Sequence, residues 1–148
     1  MAKIGMIGAG SWGTALAAHL SRCGHKVEIW SIMKDETDMI NNTHQQSVKL
    51  PGVILDASVT ADTDLEKVMR DKDMLVLAVP SAFTRSTAAQ MAPYCRYGQL
   101  IVSVAKGIEE DTLLLCNSDG SQGVYIDNNI DGHSFDITTV NGKMFVGT

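Results

Sequence analysis

The stretch Lys3-Ile-Gly-Met-Ile-Gly8-Ala-Gly10-Ser-Trp-Gly13-Thr-Ala-Leu-Ala17 decides the fold of this chain. Its apolar run over residues 4–7 predicts a strand, and the run over residues 11–23 predicts one helix. The glycines at 8, 10 and 13 lie between these two elements. A strand that runs into a helix through this glycine spacing is typical of a turn that binds a dinucleotide.

Each of the three glycines has its own mechanical role in such a turn. Gly8 lets the chain turn sharply off the strand, Gly10 leaves room for a pyrophosphate to approach the backbone, and Gly13 lets the helix pack closely on the sheet. The helix start presents backbone N–H groups around Ser11 and Trp12. Together with the positive end of the helix dipole, these groups favour the binding of phosphates.

Composition limits the class of protein. The chain has 148 residues, of which 45% are hydrophobic and 20% charged, as expected of one folded domain. A net charge of −5 argues against partners such as nucleic acid or an anionic membrane. No apolar run approaches the roughly 20 residues of a membrane span. The cysteines, at 23, 95 and 116, are odd in number and widely spaced, which is typical of reduced thiols in a cytoplasmic protein.

Strand and helix patterns alternate along the chain, which predicts an α/β fold. Thr63-Asp-Leu-Glu66 is a capping-box pattern that starts a short helix to about residue 70, and Lys49-Leu-Pro-Gly52 is predicted to be a turn or loop. Further strands are expected over residues 26–30, 59–61, 74–79, 100–104, 124–126 and 144–146, and further helices over residues 34–40, 82–91 and 111–116. The fold predicted is a Rossmann-type, doubly wound and mostly parallel sheet over residues 1–148, whose end at 117–148 is an irregular, β-rich tail.

The choice between NAD and NADP stays open. In folds of this kind the second strand ends in an acidic residue that holds the adenosine ribose, roughly twenty residues beyond the glycines. That position falls at about Ser31, whereas Glu28 comes too early and is expected to be a solvent-facing strand residue. No basic group for a 2′-phosphate comes before Lys34.

Ligands of open α/β sheets bind beyond the carboxyl ends of the strands. Lys106, beside a glycine at such an end, could hold a substrate phosphate or polarise an oxygen, or could be an ordinary surface lysine. Arg85 is more readily a solvated helix residue, and the histidines lack the spacing of metal ligands. The residues expected to line one crevice are Gly8, Gly10, Ser11, Trp12, Ser31, Pro80, Ser81 and Lys106.

Four motifs together resemble one enzyme family. They are Gly8-Ala-Gly-Ser-Trp-Gly-Thr-Ala-Leu-Ala17, Ile40-Asn-Asn-Thr-His44 with Lys49-Leu-Pro-Gly52, Ala78-Val-Pro-Ser81 with Arg85, and Ser103-Val-Ala-Lys-Gly-Ile-Glu109. In this order and spacing they resemble the N-terminal domain of the NAD(P)-dependent glycerol-3-phosphate dehydrogenases. The resemblance implies hydride transfer between a nicotinamide ring and the C2 of dihydroxyacetone phosphate or sn-glycerol 3-phosphate, within glycerophospholipid metabolism.

The resemblance also implies roles for particular residues. Ser11 and Trp12 would contact the cofactor phosphates, and Lys106 would lie where cofactor and substrate meet. Gly132 and Ser134 would touch the substrate, because Gly132-His-Ser-Phe135 is similar to the family's Gly-Pro-Ser-Phe loop with the proline replaced. The family's general acid/base lysine lies in a helical C-terminal domain. A chain that ends at residue 148 lacks that domain and is expected to be inactive alone.

Two other functions are compatible with the sequence. One is a non-catalytic nucleotide-binding or assembly module, such as a homodimer, in which residues 117–148 and an exposed sheet edge serve association. The other is a different dehydrogenase of the same superfamily, for example one acting on a 3-hydroxy acid. The Lys49-Leu-Pro-Gly52 and Lys106-Gly-Ile-Glu109 motifs argue against the latter.

Overall fold

Five parallel strands form the centre of the molecule. The computed structural model describes residues 1–105 and the backbone of residues 136–140 and 143–147. The strands are β1 Lys3–Ile7, β2 Lys26–Trp30, β3 Gln45–Gln46, β4 Leu50–Ile54, β5 Thr60–Asp62, β6 Met74–Leu77, β7 Leu100–Ser103, β8 Asp136–Val140 and β9 Lys143–Gly147. The helices are α1 Ser11–Arg22, α2 Lys34–Thr43, α3 Leu65–Met69 and α4 Thr84–Met91, with 3₁₀ turns at Ser81–Phe83 and Ala92–Tyr94.

The main sheet has the strand order β5-β2-β1-β6-β7, and all four pairings are parallel. Ile4 of β1 lies opposite Val27 of β2 and Met74 of β6, so the first strand is central. From β1 the chain adds β2 and then β5 on one side, and β6 and then β7 on the other. The direction in which strands are added therefore reverses between β1 and β6. Such a reversal opens a crevice at the carboxyl ends of these strands.

Alternating side chains of the sheet contribute to two separate cores, one on each face. Ile4, Met6 and Ile29 pack with α1 and α2 residues on one face. Ile7 and Leu75 pack with α3 and α4 residues on the other. A sheet buried on both faces has the continuous apolar strands expected of a parallel sheet. The prediction of an α/β, doubly wound and mostly parallel sheet is confirmed.

Asn41, in α2, closes the outer edge of the sheet. Its side-chain amide donates to the Ala61 carbonyl at 2.8 Å, and its carbonyl oxygen accepts from the Ala61 N–H at 2.8 Å. Ala61 belongs to β5, the last strand on this side. The side chain thus makes the pair of hydrogen bonds that a neighbouring strand would make.

The prediction of a turn or loop over residues 49–52 is wrong from Leu50 onward. Leu50–Ile54 forms β4, which pairs antiparallel with the two-residue strand β3. This hairpin stands apart from the main sheet, and its register shifts between Gln45 and Gln46. A proline is tolerated in such an edge strand because its missing N–H removes no bond from a central ladder.

The capping residue and one strand residue also differ from expectation. The N-cap of α3 is Asp64, not Thr63, because the Asp64 carboxylate accepts from the Lys67 N–H at 3.2 Å. Glu28 is not solvent-facing: its Oε2 lies 2.9 Å from the Lys72 ammonium, and only 21% of its side chain is exposed. Burying a carboxylate is unfavourable unless it is paired, and here the Lys72 ammonium pairs with Glu28.

Element bounds elsewhere agree closely with the sequence. β2 spans the predicted residues, β5 begins one residue later than expected, and β6 ends two residues earlier. The predicted helix over residues 82–91 begins as the 3₁₀ turn Ser81–Phe83 and continues as α4. No helix in the described part of the chain is long and apolar enough to cross a bilayer.

The described tail consists of one antiparallel hairpin. β8 pairs with β9, with Ile137 opposite Val146, and β9 lies beside β7. The strand predicted over residues 144–146 falls within β9. The predicted helical turn at 111–116 and the strand at 124–126 lie outside the described residues.

Candidate functional site

A cleft of about 410 Å³ opens at the carboxyl ends of β1, β2 and β6. We call it the carboxyl-end cleft. The glycine turn forms its floor, and the loop after β2 and the start of α4 form its walls. The lining residues are Gly8, Ala9, Gly10, Trp30, Ser31, Ile32, Met33, Glu36, Lys49, Ala78, Val79, Pro80, Phe83, Ser86, Thr87 and Gln90.

Gly8 and Gly13 are required by packing within the protein. Gly8 has a φ of +123°, and a Cβ there would lie 2.7 Å from the Ala78 carbonyl oxygen. A Cβ on Gly13 would lie only 2.2 Å from the carbonyl oxygen of Gly8. The start of α1 is therefore pressed directly against the backbone of the turn, as the sequence predicts for the first and third glycines.

Gly10 differs from both. Its φ is −70°, a value that any residue adopts, and a Cβ there would meet nothing within 4 Å. Neither backbone conformation nor packing inside the described chain calls for glycine at this position. The space in front of Gly10 lies at the N-terminus of α1, where no side chain of the described residues forms a capping hydrogen bond. A helix start with such space favours an anionic group.

A buried glutamine supports the glycine turn, and it was not among the site residues predicted from the sequence. Gln46 is completely buried, and its Nε2 donates to the Ala9 carbonyl at 3.2 Å. The Thr14 hydroxyl donates to the same carbonyl at 3.4 Å. The Ser11 hydroxyl donates to the Lys49 carbonyl at 2.5 Å, which ties the start of α1 to the β3–β4 hairpin. Because Gln46 stands in an amide-rich stretch, its burial has no signature in the sequence.

A polar cluster of Ser31, Glu36 and Lys49 forms one end of the cleft. The Ser31 hydroxyl donates to Glu36 Oε2 at 2.5 Å and accepts from the Met33 N–H at 3.1 Å. The Lys49 ammonium forms an ion pair with Glu36 Oε1. Glu36 lies in the first turn of α2, five residues beyond the strand end where an acidic residue was expected.

Apolar side chains surround this polar cluster. Ile32, Met33 and Phe83 line the cleft and are 74%, 53% and 59% exposed. Exposed apolar side chains around a concave site are typical of surfaces that receive a flat, apolar part of a ligand.

Asp62 stands beside the cluster at the end of β5. Its carbonyl accepts from the Ser31 N–H at 3.2 Å, and its carboxylate forms an ion pair with Lys67. The hydrogen bond from Lys67, aided by the backbone N–H groups of Asp64 and Thr63, lowers the pKa of Asp62 below its ordinary value of 3.8. The same bond raises the pKa of Lys67.

The sequence matches the family model of the NAD-dependent glycerol-3-phosphate dehydrogenase N-terminus over residues 3–131. The chain belongs to this family. The predicted family, its N-terminal position and the predicted cofactor class, NAD or NADP, are thereby confirmed at the level of the family.

Individual relatives agree with this assignment. A glycerol-3-phosphate dehydrogenase [NAD(P)+] of Agathobacter rectalis is 57% identical over 114 residues, which cover 77% of this chain and 34% of that protein. One of Lactobacillus delbrueckii is 44% identical over 131 residues, covering 83% of this chain and 39% of that protein. The chain thus spans about a third of the length of these curated relatives.

A solved structure supports the same fold. The crystal structure of glycerol-3-phosphate dehydrogenase from Coxiella burnetii matches with a TM-score of 0.71 and 30% identity. The match covers 75% of this chain and 34% of that one.

The predicted site residues of this dehydrogenase domain fall into three groups. Gly8, Gly10, Ser31 and Pro80 line the cleft together. Ser11 and Trp12 form the start of α1 but are not among the lining residues, and Gly13 faces the turn. Half-buried Arg85 is not among them either. Lys106, Gly132 and Ser134 lie outside the described residues.

Proposed function

We propose that this chain binds NAD or NADP in the carboxyl-end cleft, as the cofactor-binding part of a glycerol-3-phosphate dehydrogenase. The observation that carries the proposal is the space in front of Gly10 at the start of α1. A glycine that neither packing nor backbone conformation requires fits a close approach by a ligand, and a helix start fits its phosphates.

The residues around the cleft fit the other parts of such a cofactor. The polar cluster of Ser31, Glu36 and Lys49 suits a ribose, and the apolar side chains of Ile32, Met33 and Phe83 suit an adenine ring. Ser11 and Trp12 keep their proposed roles at the phosphates through the backbone at the start of α1, and Gly13 supports the cofactor site by letting α1 pack against the turn. When bound, the nicotinamide supplies a carbon that gives or takes a hydride.

For the whole enzyme we propose reversible hydride transfer between this nicotinamide and the C2 of dihydroxyacetone phosphate or sn-glycerol 3-phosphate. The carbonyl carbon receives the hydride and its oxygen receives a proton. From the resemblance, Lys106, Gly132 and Ser134 contact the phosphate substrate, and Lys106 also contacts the cofactor. The proton-donating lysine is expected in the part of the relatives that this chain does not span.

Organisation and location follow the same reasoning. We propose that residues 1–148 form one dinucleotide-binding domain with a divergent end at 117–148, and that the protein acts in the cytoplasm in glycerophospholipid metabolism. Small-molecule phosphates are the partners proposed, rather than nucleic acid or membranes.

Titration of the chain with NADH and with NADPH tests the binding proposal. Quenching of fluorescence from Trp12 and Trp30, together with calorimetry, should give saturable binding of at least one of the two. If neither binds saturably, the proposed function is wrong. For Lys106, the variant Lys106→Met should weaken binding of glycerol 3-phosphate while NADH still binds. Unchanged binding of glycerol 3-phosphate would show that Lys106 is an ordinary surface lysine.

A non-catalytic assembly function is the second candidate. Support comes from the hairpin of β8 and β9, which lies beside β7 and adds backbone in the divergent end of the chain. Sedimentation of the chain with and without residues 117–148 tests whether this end mediates a homodimer. A strict monomer in both forms would count against it.

A further inference from the structure

We infer that Glu36 selects the dinucleotide, because its carboxylate receives a ribose hydroxyl and repels a 2′-phosphate, so that the chain prefers NAD(H) to NADP(H). The inference rests on the proposed function, since it concerns the same cleft. Glu36 was not a candidate from the sequence, where the expected acidic position falls at Ser31.

Ser31 holds the Glu36 carboxylate in place. Its hydroxyl proton is directed to Glu36 Oε2 at 2.5 Å, and its oxygen accepts the Met33 N–H at 3.1 Å. Ser31 is 4% exposed, so it has little access to solvent. The Ser31 side chain at the strand end is therefore bonded to Glu36. The acidic residue lies five residues further along the chain than the position expected from the sequence.

The Glu36 carboxylate retains acceptor capacity toward the cleft. An ionised carboxylate has about four lone-pair sites. The described contacts use one on each oxygen, for Ser31 and for Lys49. Glu36 lines the cleft, and its side chain is 14% exposed. A hydroxyl that donates to such a charged oxygen forms a stronger hydrogen bond than one between neutral groups.

Among the described residues, the cations near Glu36 do not form a site for a 2′-phosphate. The Lys49 ammonium is already bound to Glu36 Oε1, and the Lys49 carbonyl accepts from the Ser11 hydroxyl. Lys34 is paired with Asp38 through both carboxylate oxygens. The first turn of α2 carries Asp35 and Glu36, which already complement the positive end of the helix dipole. A phosphate here would approach one shared ammonium in the presence of a fixed carboxylate.

The full chain is titrated with NADH and NADPH. The measured ratio is the dissociation constant for NADPH divided by that for NADH. We expect the chain to bind NADH at least about tenfold more tightly, the value of one hydrogen bond to a charged group. Glu36→Gln keeps the shape of the side chain but removes its charge. It should lower the ratio by about fivefold or more, with tighter binding of NADPH contributing to the change.

Asp35→Asn is the matched control. It removes the same charge from the same helix turn, but Asp35 is exposed and does not line the cleft. The ratio should stay within about twofold of the unmodified chain. Circular dichroism melting of both variants checks that they remain folded.

The outcomes separate the two proposals. If neither dinucleotide binds the unmodified chain, the proposed function is wrong and the inference falls with it. Equal binding of both dinucleotides, or an unchanged ratio in Glu36→Gln, overturns the inference while the proposed function stands. An equal change in Asp35→Asn also overturns it, because general charge and not the Glu36 contact would then set the preference.

Discussion

The two ends of the same parallel sheet form clefts of similar size but of different character. The carboxyl-end cleft has a volume of about 410 Å³. A second cleft, of about 360 Å³, lies at the amino end and is lined by Lys3, Lys26, Glu28 and Lys72 among others. We call it the amino-end cleft. By charge alone it is the more obvious anion site, since three lysines line it.

At the amino end, the chain itself provides the partners of the Lys72 ammonium. The Lys72 ammonium lies 2.9 Å from Glu28 Oε2 and donates to the Arg70 carbonyl at 3.0 Å. The Asp73 carboxylate accepts the Lys3 N–H at 2.7 Å. At the carboxyl end, Gly10 instead faces space, beside a helix start without a side-chain cap. A binding site is therefore recognised by groups that the fold leaves available, and not by the number of charges.

The largest expected effect, on stability, comes from adding a methyl group at Gly13, where α1 contacts the backbone of the glycine turn. In Gly13→Ala the new Cβ would lie 2.2 Å from the Gly8 carbonyl oxygen, which belongs to backbone and cannot rotate away. We expect a loss of about 3 kcal/mol or more in the free energy of unfolding, measured by urea denaturation. A variant as stable as the parent chain would show that α1 can shift, and that Gly13 is not a packing requirement.

Gly10→Ala should have the opposite profile. Because the added methyl group meets no described atom within 4 Å, stability should change by less than about 1 kcal/mol, the usual effect of an alanine at an N-cap. NADH affinity should fall by more than about tenfold, because the methyl group occupies the space proposed for the phosphates. Calorimetry gives the affinity and urea denaturation the stability. Undiminished binding would show that the cofactor does not approach Gly10. The proposed difference between the carboxyl-end cleft and the amino-end cleft would then be wrong.

Lys72→Met tests whether the amino-end cleft is structural. It leaves the largely buried Glu28 carboxylate without its cation, which should cost about 1–3 kcal/mol of unfolding free energy. NADH affinity should not change. The double variant Glu28→Gln with Lys72→Met should recover part of the loss, since no charge is then left unpaired. If the single variant weakens NADH binding instead, the two ends are coupled.

The smallest effect is expected at Asp62. Its pKa in the folded chain lies below its ordinary value of 3.8, so its ion pair stabilises fully above that value and is lost as the pH falls through the lowered pKa. Lys67 is largely exposed, so Asp62→Asn should cost less than about 1 kcal/mol at pH 7. The difference between parent and variant should shrink at pH 3, as measured by urea denaturation. A difference that grows in acid would contradict this assignment.

Local patterns predicted the main sheet and the turn well. The strands over residues 3–7 and 26–30 and the helix between them depend on hydrophobic runs and glycine spacing, which act over a few residues. The roles of Gly8 and Gly13 follow from the same spacing, and the structure supplies the contacts that explain them.

The missed features depend on contacts between distant parts of the chain. The β3–β4 hairpin contains Pro51 and Gly52, whose local preference is for turns, yet it is tied to α1 through the Ser11 hydroxyl 38 residues earlier than Lys49. Glu28 was expected in solvent because its partner, Lys72, lies 44 residues away. Glu36 was overlooked because the expected acidic position is counted along the strand, whereas this carboxylate reaches the cleft from the next helix.

The Asn41 side chain has a consequence for self-association. Parallel sheets with a bare outer strand can recruit a strand from another molecule, which leads to swapped dimers or fibrils. At Ala61 both backbone groups on that side already bond to one amide of the same chain. An incoming strand would have to displace it and lose two hydrogen bonds before gaining any. Asn41 therefore protects this border of the sheet, at Ala61, against pairing with a strand of another molecule.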